Sequence, residues 1–214
     1  MLNAATDAIG LGRSLTSMRV HIIDHNTVHR PLVAAMLAKS FPRLECITIA
    51  KTNDDHRALI KAADLIILSG GTRLVHLNPD THRRIIDTIL AENKPVFGIC
   101  LGAEALADYF GANVIKMQER ITGAVSVQLT DASLLKTVGS SQLTVYAHHI
   151  WSIQNLPQDM KELAVSPYGI EFFKHQTLPV WGTQFHPEVK RGNSKGYIAF
   201  IQAVKELGFE TVLL

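Results

Sequence analysis

The chain has 214 residues, 47% of them hydrophobic and 19% charged, and a formal net charge of +2. That is the composition of an ordinary globular chain long enough to bury a sizeable core, and the charge is too small to argue for nucleic acid or an anionic membrane as partner. No apolar run is long enough to span a bilayer, and two cysteines, Cys46 and Cys100, make no disulfide framework, which suits a reducing, cytoplasmic compartment.

Residues 1–17 contain Asp7 and Gly10 and lack a basic start followed by an apolar block, so they read as a tail or an extra helix rather than a secretory signal. Residues 18–214 read as a single domain. Arg19 to Asp24 is a short apolar strand. Pro31 to Lys39 has helical spacing, with Pro31 in the favoured first position. Leu44 to Ala50 is a second strand with Cys46 in its core. Asn53 or Asp54 is placed to cap a helix running through Ala63. Asp64 to Ser69 is almost wholly apolar, as a strand covered on both faces should be. A helix over Asp80 to Asn93, a strand over Pro95 to Ile99 and a helix over Ala103 to Phe110, stopped by Gly111, complete the alternation. This rhythm predicts an α/β fold with a doubly wound, mostly parallel sheet. After Gly111 the runs 124–129, 143–147, 164–165, 170–174 and 180–184 are short and separated by turn residues, which predicts added antiparallel strands. Gly196 to Leu207 is a final helix.

The stretch Gly98-Ile99-Cys100-Leu101-Gly102 stands where a strand meets a helix. A reactive residue between two glycines at such a junction is a nucleophile elbow. The turn is too tight for side chains at the flanking positions, and the amino end of the following helix favours thiolate over thiol. A buried structural cysteine is the plain alternative for Cys100 taken alone. A thiol nucleophile needs an imidazole, and the imidazole needs an acceptor to fix its tautomer. Gln184-Phe185-His186-Pro187-Glu188 supplies both. Pro187 drives His186 to extended geometry, and residues two apart in an extended segment point the same way, so Glu188 can reach His186. An oxyanion hole would draw one N–H from Leu101, after the nucleophile. A second would come from Ser69-Gly70-Gly71, at the carboxyl end of the third strand, where sites in parallel sheets form. His25 and His29 have a metal-ligand spacing but fall in a predicted loop, and no metal or cofactor is expected. His148 and His149 are strand neighbours, so at most one faces inward.

Together, G-I-C-L-G (Gly98–Gly102), S-G-G (Ser69–Gly71) and Q-F-H-P-E (Gln184–Glu188) resemble the three signatures of the class I glutamine amidotransferases, in order and in spacing, over residues 18 to 205. The segments Gly169–His175 and Val145–Pro157 resemble the separate glutaminase subunits of GMP synthetases within that family. The resemblance implies a flavodoxin-like fold in which Cys100 attacks the side-chain amide of glutamine, His186 carries protons and Glu188 orients His186. It further implies that the Gly71 and Leu101 amides hold the oxyanion and that Gly70, Glu104, His149 and Ile150 line the substrate pocket. The ammonia released would pass to a separate synthetase subunit of the ATP pyrophosphatase type. The chain departs from the family pattern at Ala103-Glu104, where His-Gln is usual, at Thr72 and Arg73 after S-G-G, and at Trp151, where an acidic residue is usual. Glu104 resembles the γ-glutamyl hydrolases, which gives a second reading: a hydrolase of γ-glutamyl conjugates using the same triad. A catalytically silent regulatory subunit is a third.

Overall fold

A computed structural model of the chain describes residues 17–71 and 79–211. Residues 1–16 of the expected tail, and Thr72 and Arg73, lie outside the described residues. The first half alternates as read: β1 (Met18–His25), α1 (Arg30–Ser40), β2 (Leu44–Lys51), α2 (Arg57–Ala62), β3 (Leu65–Gly71), α3 (Pro79–Ala91), β4 (Val96–Ile99) and α4 (Leu101–Tyr109). Then follow β5 (Asn113–Leu129), α5 (Ala132–Val138), β6 (Gln142–Asn155), β7 (Met160–Ser166), β8 (Gly169–His175), β9 (Val180–Thr183) and α6 (Tyr197–Glu206).

The described strands form one sheet in the order β2-β1-β3-β4-β9-β8-β6-β5-β7. Alternate strand residues feed two apolar clusters, one on each face. Ile22, Ile67, Phe97 and Trp181 pack with α1, α5 and α6. Ile23, Ile66, Val96 and Val180 pack with α2, α3 and α4. The sheet is thus covered on both faces, but it is mixed rather than mostly parallel. β2, β1, β3, β4 and β9 run parallel, while the pairings among β5, β6, β7 and β8, and of β8 with β9, are antiparallel. The cause is connection length. A parallel neighbour needs a long crossover, and the short links from β6 through β9 allow only hairpin-like returns.

Two local expectations need correction. Helix α2 begins at Arg57 with His56 at its N-cap and no side-chain cap. Asp54 is used elsewhere: its carboxylate accepts from the Lys51 N–H at 2.7 Å, closing the preceding turn. Asp131, in the stretch between the runs 124–129 and 143–147 that the sequence marks as turn, caps α5, accepting from the N–H groups of Ser133 at 2.9 Å and Leu134 at 3.2 Å. The same carboxylate pairs with Lys161 of β7 at 2.7 Å. Asp131→Ala is expected to cost about 1–2 kcal/mol, and Asp131→Asn less, in urea unfolding. Equal losses in the two variants would mean that the pair with Lys161, not the cap, is what matters.

Among the described residues, no helix is long and apolar enough to cross a membrane.

The central register positions the site. Strand β4 pairs with β9 so that Ile99 lies opposite Thr183, and the Cys100 N–H donates to the Thr183 carbonyl at 2.7 Å. Cys100 and the Gln184–Glu188 segment therefore leave the sheet side by side, although 86 positions separate Cys100 from His186 in the sequence.

Candidate active site

Cys100 is the N-cap of α4, with φ 49° and ψ −109°. This is a left-handed backbone that non-glycine residues adopt only under constraint. The constraint comes from both flanks. A Cβ on Gly98 would come within 2.7 Å of the Ala103 nitrogen, and one on Gly102 within 2.2 Å of the Leu68 carbonyl oxygen. The glycines let α4 start directly against β3 and β4 while Cys100 turns out of the sheet.

His186 and Glu188 meet as the extended geometry requires. His186 Nδ1 and Glu188 Oε1 are 2.8 Å apart, both side chains buried. The His186 N–H donates to the Tyr146 carbonyl at 2.8 Å, fixing the segment against β6. The other ring nitrogen, Nε2, is buried without a partner at full hydrogen-bond geometry, and the Cys100 thiol is the group on that side to which the ring is coupled. The thiol itself is directed at the His148 carbonyl, 3.9 Å away. Gly70 fits between the two side chains. A Cβ there would stand 2.9 Å from His186 Cε1 and 3.5 Å from Cys100 Cβ.

Burial pushes the Cys100 thiol up; His186 and the Leu101 N–H pull against it, and Glu104 adds to the rise. Burial also opposes charge on His186, but Glu188 and the Cys100 sulfur outweigh it and hold the imidazole well above its ordinary range. The result is a buried imidazole–carboxylate pair beside the sulfur, in which Glu188 and the sulfur favour the proton on His186, the direction in which general-base work on a thiol must move it.

The other sequence-predicted residues are dispersed around this centre. Leu101 begins α4, and its N–H is directed at the Cys100 sulfur. Gly71 ends β3 in close contact with the backbone of His25, whose carbonyl oxygen leaves no room for a Cβ. His149 is buried while His148 faces outward, as neighbours on a strand must. Its Nδ1–H donates to the Trp151 carbonyl at 2.8 Å, and burial lowers its pKa to about 4, so the ring is neutral. Ile150 is half-buried on β6. Glu104 is buried on α4 and accepts from Gln184 Nε2 at 2.9 Å.

Sequence reasoning missed His29. Its spacing from His25 suggested a shared ligand, yet the two rings face different ways. His25 stacks on His82, while His29 stands edge-on to His186 with ring centroids 5.0 Å apart. Glu171 of β8 is buried, with Oε1 accepting from Ser166 Oγ at 2.7 Å. Among the described residues no group of three or more His, Cys, Asp or Glu side chains is arranged to hold a metal ion.

An elbow cysteine at the crest of a sheet, beside a histidine–carboxylate pair from the neighbouring strand, agrees with the family match. The chain belongs to the class I glutamine amidotransferase family, whose model matches residues 24–205. Within it, the chain is 33% identical over 139 residues to a glutamine-hydrolysing GMP synthase subunit of Thermoplasma acidophilum, covering 64% of this chain and 70% of that one. The glutamine-hydrolysing GMP synthase of Campylobacter lari is 31% identical over 176 residues, which is 79% of this chain but 32% of that longer one. A crystal structure of a GMP synthase subunit from Thermoplasma acidophilum superposes with a TM-score of 0.75 at 26% identity, covering 90% of this chain and 96% of that one.

Proposed function

We propose that the chain is a glutaminase that hydrolyses the side-chain amide of glutamine and delivers ammonia to a separate synthetase subunit. The observation that carries this is Cys100, held in a strained backbone at the amino end of α4 beside the buried His186–Glu188 pair. His186 takes the thiol proton as Cys100 attacks the amide carbon. The Leu101 and Gly71 N–H groups receive the oxyanion, a task for which each such donor contributes about 3–4 kcal/mol in acyl-transfer enzymes. His186 then protonates the leaving ammonia, and water hydrolyses the thioester with His186 as base. Glu188 holds the ring in the tautomer that these steps require.

Ammonia escaping to water would be wasted, so a partner that consumes it is part of the proposal. The relatives' names support a GMP-forming synthetase in that role, and the family resemblance supports one of the ATP pyrophosphatase type. The γ-glutamyl hydrolase reading rested on Glu104 and on Arg73, the latter outside the described residues. With that carboxyl engaged by Gln184, the glutamine reading is favoured. A silent subunit would have no use for a strained cysteine beside a buried His186–Glu188 pair.

The test is steady-state glutamate release from glutamine by the purified chain, with γ-glutamyl dipeptides run in parallel and Cys100→Ala as control. Cys100-dependent turnover of glutamine is the expected result. Turnover of the dipeptides alone would replace the reading with the hydrolase.

A further inference from the structure

Glu104 sits one helical turn beyond the nucleophile: its N–H donates to the Cys100 carbonyl at 2.9 Å. Its side chain is 3% exposed, and the polar contact it makes is with Gln184 Nε2 at 2.9 Å. Gln184, 1% exposed, lies two residues before His186, and its backbone N–H donates to the Glu171 carbonyl at 2.9 Å. This corner is short of protons. Gln184 Oε1 and Glu171 Oε2 are both buried acceptors without a donor, and buried polar atoms are rarely left so. A hydrogen on a carboxyl of this corner is the donor that the described side chains lack.

We propose that Glu104 is a positioning residue that works in its uncharged acid form, tying α4 and its nucleophile to the Gln184–His186 segment, and that loss of its proton suppresses the reactivity of Cys100. This deepens the glutaminase reading and rests on Cys100 being the nucleophile.

Other charges do not dispose of the carboxylate. On α4 itself Asp108 lies one turn further on, half-buried, with Cys100 capping the amino end; on the segment after β9 stand His186 and Glu188. Glu171 of β8 stands on the other side of Gln184. Helix α3 sends Arg83 and Asp87 to Tyr109, at the far end of α4, and its His82 stacks on His25. From β6, the neutral His149 bonds Trp151; β3 and β4 offer no titratable side chain. Burial, against the pull of Gln184 and His186, moves the Glu104 carboxyl to about 7. Below that pH the corner is neutral. Above it a second buried anion faces the sulfur and raises the thiol further, which disfavours both thiolate and oxyanion.

The test reads Cys100 directly. Its alkylation by iodoacetamide is followed by peptide-resolved mass spectrometry, separating it from Cys46, across pH 6 to 9 in the wild type, Glu104→Gln and Glu104→Ala. The wild-type profile is expected to rise in two steps, separated by a flattening where Glu104 loses its proton and holds the thiol back. Glu104→Gln, which keeps the hydrogen bond and removes the titration, should alkylate roughly 3- to 10-fold faster near pH 8 and lessen the alkaline decline in glutamine turnover. Glu104→Ala, which cuts the tie, should lower turnover throughout the range. A single-step wild-type profile overturns the proposal even if neither variant folds, and superimposable profiles for wild type and Glu104→Gln do the same. Because alkylation needs no glutamine, a chain that fails to hydrolyse glutamine yet shows the two-step profile sinks the glutaminase reading and not this one.

Discussion

Replacing Glu188 with glutamine is expected to lower kcat for glutamine hydrolysis by about 10⁴-fold, the scale seen when the acid of such a triad becomes an amide. The fold should survive, because size and shape are kept and the site is buried rather than structural. The argument is electrostatic. Glu188 is the largest of the groups holding the His186 imidazolium well above its ordinary range against the cost of burial. Remove that charge and burial weighs more heavily, so His186 takes up the thiol proton less readily and less of the imidazolium that protonates the leaving ammonia forms. The amide also loses control of the tautomer, since at 2.8 Å from Nδ1 it can present either its oxygen or its NH₂ group. Glu188→Asp separates charge from reach: it keeps the carboxylate but retracts it by one methylene. The measurements are kcat and KM for glutamine with circular dichroism on each variant. A folded Glu188→Gln enzyme within tenfold of wild type would remove Glu188 from the mechanism.

The candidate site was legible in the sequence because each role read for it is tied to a local backbone demand. Gly98 and Gly102 announce the elbow, since no Cβ fits at either position, and Pro187 announces the extended His186. The same local logic found the parallel half, where β3, β4 and β9 are buried on both faces and β3 opens as an unbroken apolar run. It failed for β5. That strand spans Asn113–Leu129, and much of it is exposed on both sides, so Lys116 to Ile121 shows no alternation to read. What makes it a strand is its pairing with β6, which slips in register between Lys116 and Ile121; that is a tertiary fact. Helix α5 failed differently: it is only seven residues long, and its cap, Asp131, is equally good turn chemistry. Around the site, the polar network was illegible for a related reason. Glu104 and Gln184 are 80 positions apart, and only the β4–β9 register brings them together. Resemblance alone assigned Glu104 to the substrate pocket, whereas its hydrogen bond runs to Gln184.

The stability of the folded chain is expected to peak between about pH 5 and 6.5 and to fall on both sides, because two sets of buried groups pull in opposite directions. On the acid side stand the neutral histidines. Burial, with His56 adding, lowers His21 to about 4; burial, with His82 adding, lowers His25 to about 3; burial lowers His149 to about 4. His21 Nε2 lies 3.0 Å from His56 Nδ1, and one of two facing ring nitrogens must accept, so at least one of these rings is neutral; at His25 the 2.8 Å bond from Nδ1–H to the Ser69 carbonyl offsets only part of the cost of burying a charged ring. An unfolded chain takes up these protons near pH 6.5 and the folded chain does not. Stability is therefore full above about pH 6.5 and drains as pH falls towards 4. Discounted by half for solvent screening, the three rings remove roughly 5 kcal/mol by pH 4, comparable with the total stability of a typical domain. On the alkaline side, burial raises Glu104 and Glu171 to about 7. The folded chain keeps protons that the unfolded chain has released, so their contribution is full below about pH 4.5 and drains as pH rises to 7. The raised His186 acts in the same direction, favouring the fold at low pH and fading as pH rises past its own pKa. The two carboxyls, discounted alike, amount to roughly 3 kcal/mol by pH 8, so the acid limb should be the steeper. Urea unfolding at half-unit pH steps reads the curve directly. Glu171→Gln should flatten the alkaline limb and leave the acid one; His25→Asn, which keeps a donor for the Ser69 carbonyl, should flatten only the acid limb. A stability constant from pH 4.5 to 8 would mean that these buried groups exchange protons with solvent as freely in the folded chain as in the unfolded one.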